Sequence, residues 1–154
     1  MADECETRLA GLGLTLPEAP KAAGNYVPFH IHNGLLFVAG QLPRGAGGAV
    51  MTGRLGEGAT IEDGRKAAEL ACLNILAQAK AALGSLDRIA QVLRLTGYVN
   101  ATPGFADHPA VMNGASDLLV AVLGDRGRHT RVAVGVASLP ANAVIEIDAI
   151  IAVS

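Results

Sequence analysis

Two residues, Asn33 and Gly34, constrain this chain more than any others. They sit between residues 26–32 and 35–42, runs rich in aromatic and branched side chains. An Asn-Gly pair in that setting specifies a two-residue type I′ turn, because both central residues must take positive φ. The chain is therefore committed early to an antiparallel hairpin. A hairpin alone is marginal in water, so further elements must cover one of its faces.

Those elements can be read in order. Thr60, with Asp63 three residues on, resembles a capping box. Ile61, Ala68, Cys72, Ile75, Leu76, Ala79 and Leu83 follow at helical spacing as far as Gly84, which predicts one long helix with a single buried stripe. Residues 89–99 read as a strand, 110–123 as a second helix closed by Gly124, and 130–138 and 144–153 as two more strands. Residues 43–58 shift to Gly, Ala and Arg, and Arg44-Gly45-Ala46-Gly47-Gly48 fits neither phosphate-loop pattern, so a loop is expected there. Leu9 and Leu12 among charges predict a weakly amphipathic helix over residues 2–12, followed by a linker carrying Pro17 and Pro20. The expected organisation is one domain over residues 1–154, with residues 1–22 as an extension laid against the body. Its fold class is α+β, with two helices on one face of a sheet of about five strands and no helical cover on the other.

Composition bears on that uncovered face. The chain is 51% hydrophobic and 17% charged, against roughly 25% charged in a typical domain, so apolar surface is expected in contacts between chains as well as in the core. A net charge of −2, 3% aromatic residues and no Trp provide neither a basic stripe nor a stacking platform, and nucleic acid is not expected as a partner. No apolar run of about 18 residues occurs, and Met1-Ala2-Asp3-Glu4-Cys5-Glu6 is acidic, so neither a membrane span nor a secretory signal is expected. Cys5 and Cys72 lie too far apart in sequence for a CxxC site and support no disulfide scaffold, which makes the cytoplasm the expected compartment.

The last two strands carry the candidate chemistry. In the first of them Val132, Val134 and Val136 alternate with Arg131, Ala133, Gly135 and Ala137. The valines are expected to pack inward against helices, leaving the small residues as a bare outer face with room for another chain or a ligand, and Arg131 at its edge. In the second, Ile145, Ile147, Ala149, Ile151 and Val153 form an apolar core face, and Glu146 and Asp148 share the other face with Val144 and Ile150. A guanidinium grips a carboxylate through two parallel donors, and a half-buried Glu can hold or deprotonate a water. The residues alone leave open a structural Arg131–Glu146 ion pair, and Asp148 reads as structural. His30 and His32 share a strand face without a convincing third ligand, so no metal is expected. His129 next to Arg131, with Arg126 and Arg128 before it, makes a small basic cluster that could favour anionic ligands or simply sit on a solvated loop.

From about residue 23 to 153 the sequence resembles the RidA family, also called YjgF or L-PSP. The most specific stretch runs from Arg131 to Ala152, with Leu139-Pro140 and Glu146 in register. Gly24-Asn25-Tyr26 is similar to the family's Gly-Pro-Tyr, Gly40-Gln41 to its Ser-Gly-Gln, and Asn113 to a helix Asn that lines its pocket. The resemblance implies a chorismate-mutase-like α+β fold and a homotrimer in which uncovered sheet faces meet and three pockets form between subunits. It also implies hydrolysis of enamine-derived 2-imino acids to 2-keto acids and ammonia, without cofactor or metal. Arg131 would anchor the substrate carboxylate, Glu146 would position or activate water, Tyr26 and Asn113 would line the pocket, and backbone around Gly40 and Ala133 would complete it. Ala39 replaces the family's Ser and Ala133 its frequent Cys, so the substrate range is expected to differ within a divergent subgroup. The competing expectations are a non-catalytic carboxylate-binding trimer, an endoribonuclease, and a chorismate mutase-like enzyme.

Overall fold

The computed structural model describes residues 3–154. The hairpin forms as its turn dictates: β1 (Phe29–His32) and β2 (Leu35–Gln41) pair antiparallel across Asn33 and Gly34, whose φ angles are 50° and 75°. Residues 26–28 stay outside the strand. After β2 come two very short strands, β3 (Arg54–Leu55) and β4 (Gly58–Ala59), then α2 (Ile61–Leu83), β5 (Ile89–Asn100), α3 (His108–Leu123), β6 (Thr130–Val136) and β7 (Ile145–Val153). The five long strands form one mixed sheet in the order β1-β2-β7-β5-β6, in which only β5 and β6 run parallel. The helices α2 and α3 pack together on one of its faces. The architecture is α+β, with a third helix, α1 (Glu4–Gly11), docked on α3 through the buried Cys5 and Leu9. Of the helix expected over residues 2–12, Ala2 lies outside the described residues.

The capping box forms in full: Thr60 Oγ1 accepts from the Asp63 N–H at 3.0 Å, and the Asp63 carboxylate accepts from the Thr60 N–H at 2.9 Å. The single buried stripe expected on α2 is a correction. Every residue from 71 to 79 is buried, including Asn74 and Gln78, whereas Ile61 is exposed. The reason is that the second half of α2 is enclosed on all sides. The sheet lies on one side, α3 on another, and the N-terminal linker on a third, where the Pro20 carbonyl accepts from Gln78 Nε2 at 2.7 Å.

The expected orientation of β6 is reversed. Register places Arg131, Leu95 and Ala149 in one row and Val134, Tyr98 and Glu146 in another. The first row faces the helices, and the second faces away from them. Arg131, Ala133 and Gly135 thus lie against α3, and Val132 and Val134 are 37% and 40% exposed on the uncovered face. The physical cause is closeness of approach. A Cβ on Gly135 would sit 2.6 Å from His108 Nε2, and one on Gly97 would sit 2.2 Å from Met112 Sδ, so only small residues fit under α3 there. On β7 the expected faces hold, with Ile145, Ile147 and Ile151 buried and Glu146, Asp148 and Ile150 half-buried on the open side, but Val144, expected with the latter, is buried just before the strand.

Candidate active site

Glu146 belongs to a cavity of about 180 Å³ whose walls include Lys21, Tyr26, Ala39, Gly40 and Arg44. It is built where β2 loses register with β7, between Val38 and Gln41. This irregularity brings the backbone of Gly40 onto the Glu146 side chain: a Cβ at residue 40 would lie 2.6 Å from Oε2 and 3.2 Å from Cγ. Gly40 is therefore a steric requirement of the Glu146 position. Tyr26 is more than half exposed on the rim, and its hydroxyl accepts from the Ala23 N–H at 3.3 Å. Among the described residues Glu146 has neither a salt-bridge partner nor a hydrogen bond. Burial pushes its carboxyl above the ordinary value, and the nearby Asp148 charge adds to the effect. A half-buried, unpaired carboxylate with a raised pKa is equipped to take a proton from water near neutral pH.

Arg131 projects from the other face. Its Nη1 donates to Asn113 Oδ1 at 2.9 Å and to Ser116 Oγ at 3.1 Å, and its Nη2 donates to the Pro109 carbonyl at 3.4 Å. Asn113 and Ser116 are three apart on α3 and share its sheet-facing side. Ala133, half-buried next along β6, has no side chain long enough to intrude. Three of the five guanidinium N–H groups are thus directed to this chain. Nε–H and one Nη2–H have no partner among the described residues, so the guanidinium keeps two donors for a carboxylate.

The predicted site residues therefore fall into two groups. Tyr26, Ala39, Gly40 and Glu146 share the cavity, whereas Arg131, Asn113 and Ala133 lie at the edge strand under α3. No Arg131–Glu146 ion pair exists, since the two residues occupy opposite faces of the sheet. His30 and His32 are exposed together on β1. Among the described residues one set of three ligand-type groups converges, Asp3, Cys5 and Asp87. It is occupied structurally: Asp3 accepts from Ser85 Oγ and from the Leu86 N–H, and Asp87 accepts from the N–H groups of Glu4 and Cys5.

The basic cluster expected on a solvated loop is also corrected. Arg126 donates to the Asp87 and Ile89 carbonyls, Arg128 pairs with Asp125 at 3.2 Å, and His129 is half-buried beside Ser116. Ser116 was not expected at the site, nor was His129 as a partner of Ser116 in place of a charged member of the basic cluster. The available signals were a serine three residues after Asn113 on one helix and a histidine two residues before Arg131 on one strand face.

Comparison with known proteins agrees with this architecture. Residues 6–152 match the family model described as "YjgF/chorismate mutase-like, putative endoribonuclease". A Trypanosoma cruzi protein, TCP17, is 45% identical over 144 residues, covering 93% of this chain and 90% of its own. The crystal structure of Atu1372 from Agrobacterium tumefaciens, a protein of unknown function, is 49% identical and superposes with a TM-score of 0.91, covering 98% of this chain and 94% of that one. RidA from an Antarctic Psychrobacter is 26% identical with a TM-score of 0.62, covering 88% and 94% respectively. The chain belongs to the YjgF/RidA family of chorismate mutase-like fold.

Proposed function

We propose that the protein is a homotrimer that hydrolyses 2-imino acids, and the enamines that tautomerise to them, to 2-keto acids and ammonia in pockets between subunits. The observation that carries this reading is the division of the site. One chain holds Arg131 donors with no acid paired to them and, on the opposite face of the sheet, a Glu146 cavity whose acid makes no ion pair, with Lys21 and Arg44 in its walls. Arg131 and Glu146 cannot meet within one chain, so a site that uses both sets the Arg131 edge of one copy against the Glu146 cavity of the next. The open sheet face favours the same assembly. Phe37 pairs with Ile150 on β2 and β7, and Val132 and Val134 stand on the edge strand β6, so exposed apolar side chains flank Thr96 and Asp148 on a face that nothing from this chain covers, as at an interface.

In this pocket the Arg131 fork holds the substrate carboxylate and fixes the imine carbon near Glu146. Glu146 takes a proton from water as the water oxygen bonds to that carbon and returns it to nitrogen as the C=N π pair moves there. In the resulting carbinolamine Glu146 carries the hydroxyl proton to the amino nitrogen, the C–N bond breaks to release ammonia, and the keto group forms. The chemistry needs one anchor and one base, and the substrate is a small carboxylate.

The test is to generate 2-imino acids in situ with an amino-acid oxidase and trap the remainder with semicarbazide. Wild type should deplete the imine faster than buffer. Arg131→Ala and Glu146→Ala, each confirmed to keep the wild-type mass in solution, should lower kcat/KM at least tenfold, since a hydrogen bond to a charged group contributes about 1.5–3 kcal/mol. Unaccelerated loss with wild type, together with retained pyruvate binding, would instead identify a carboxylate-binding trimer without turnover.

A further inference from the structure

We infer that Ser116 and His129 are positioning residues that hold Arg131 through a directed hydrogen-bond relay and thereby present its free fork to the substrate carboxylate. The inference rests on Arg131 being the carboxylate anchor.

The direction of every bond in the relay is forced. His129 Nδ1 lies 2.7 Å from the Gly127 carbonyl, which can only accept, so Nδ1 carries a proton. A neutral imidazole then has a bare Nε2, which can only accept, and it lies 2.9 Å from Ser116 Oγ. The serine hydroxyl therefore donates to Nε2. With its one proton committed, Oγ turns lone pairs toward Arg131 Nη1 at 3.1 Å, and arginine can only donate. The chain thus runs from Arg131 through Ser116 and His129 to the Gly127 carbonyl without a conflict.

The relay has a purpose beyond satisfying polar groups. Asn113 Oδ1 and Ser116 Oγ together take both Nη1 hydrogens, and two contacts three residues apart on one helix fix the guanidinium in its plane. With Nη2 also donating to the Pro109 carbonyl, the donors that stay free are Nε–H and the second Nη2–H. Without Ser116 the guanidinium could pivot about its contact with Asn113, and the fork would lose its fixed direction. Fixing a donor pair before the ligand arrives removes the cost of ordering it on binding. His129 does not touch the substrate; it acts through Ser116.

The experiment uses the full-length protein with pyruvate as the carboxylate probe, together with KM and kcat from the imine assay, after checking the mass of every variant in solution. Ser116→Ala and His129→Ala should each weaken pyruvate and raise KM about tenfold, with kcat within about twofold. Ser116→Thr keeps a hydroxyl, and His129→Gln keeps an amide oxygen that can accept it, so each should return pyruvate affinity to within about threefold of wild type. In an Arg131→Lys background, which has no fork to direct, Ser116→Ala should cost less than twofold.

Equal losses from Ser116→Ala in the wild-type and Arg131→Lys backgrounds would show that Ser116 acts other than through Arg131 and overturn the relay. Affinity within twofold of wild type for Ser116→Ala, when Arg131→Ala abolishes binding, overturns the relay and leaves the anchor standing. Unchanged pyruvate binding in Arg131→Ala overturns the anchor itself, a different failure. If Ser116→Ala does not fold, Ser116→Thr and His129→Gln decide the matter, and a tenfold loss in both overturns the proposal.

Discussion

On the helix side of the sheet, residues are small wherever elements cross closely: Gly97 lies under Met112 and Gly135 under His108, with Ala133 between Arg131 and Gly135. On the open side the same strands carry Val132, Val134 and Tyr98, and the neighbouring strands add Phe37 and Ile150. Beyond Arg131, residue size along β6 therefore runs opposite to the usual rule, with the smaller side chains, Ala133 and Gly135, toward the helices and the valines toward the outside. Small residues are found where the chain packs tightly on itself. Large apolar residues with two carboxylates among them are found where nothing from this chain covers the sheet.

The largest effect should come from the open face. Val134→Asp adds a charge to the exposed apolar pair on the edge strand β6, and burying an unpaired carboxylate between copies costs several kcal/mol. Sedimentation should show the mass falling to that of one chain, the far-UV spectrum should be unchanged, and imine hydrolysis should vanish because neither half-site is complete. A variant that is monomeric and fully active would show that one chain suffices, and the shared-pocket reading would be wrong.

The matched change on the helix face is Gly97→Val. Its Cβ would lie 2.2 Å from Met112 Sδ and 2.8 Å from Met112 Cγ, and although a methionine can shift, overpacking of this kind costs about 1–3 kcal/mol. Urea unfolding should show that loss, while the mass in solution stays at the wild-type value. Loss of assembly with unchanged stability would reverse the two faces' roles.

This contrast also marks how far the sequence could be read. Local signals sufficed for the hairpin and the start of α2, because Asn33-Gly34 and the Thr60/Asp63 pair act within four residues. The five long strands, and the helical faces of β7, followed from period and branching. The sense of β6 did not, since alternation defines two faces without saying which is inside. The decisive fact, the distance between β6 and α3, is a tertiary one. For the same reason Arg131 and Glu146 were recognisable as residue types with suitable chemistry, but their separation onto opposite faces was not. Ser116 and the role of His129 were missed because they acquire meaning only through the bonds that link His129 to Ser116 and Ser116 to Arg131.

A smaller effect concerns pH. Burial and the Asp148 charge raise the Glu146 carboxyl above its ordinary value, so the base form appears only at a correspondingly higher pH. The acid limb of kcat/KM should lie above the pH at which an exposed glutamate titrates. Asp148→Asn removes the neighbouring charge and should move that limb to lower pH, but not all the way, because burial is the larger cause. A limb that stays in place would mean that the titrating group is not Glu146.

The smallest effect, and the sharpest on the relay, concerns His129. Burial lowers its pKa, and the Arg131 charge lowers it further, against an opposing contribution from the Gly127 carbonyl. The charged neighbours along its own segment are Arg128, paired with Asp125, and Arg131; from α3 there is Asp117, paired with Arg65. With the folded pKa below the unfolded one, the unfolded chain binds the proton more readily. Stability is therefore intact above the unfolded value and is lost as pH falls from there through the folded pKa. One group contributes a slope of at most about 1.4 kcal/mol per pH unit. Urea midpoints between pH 7.5 and 5 should fall more steeply for wild type than for His129→Gln, which cannot titrate. Pyruvate affinity should weaken over the same range in wild type alone, because a protonated Nε2 donates where the relay requires an acceptor. Parallel curves for the two proteins would mean that His129 keeps its ordinary protonation in the folded state, and the direction assigned to the Ser116 hydroxyl would then be lost.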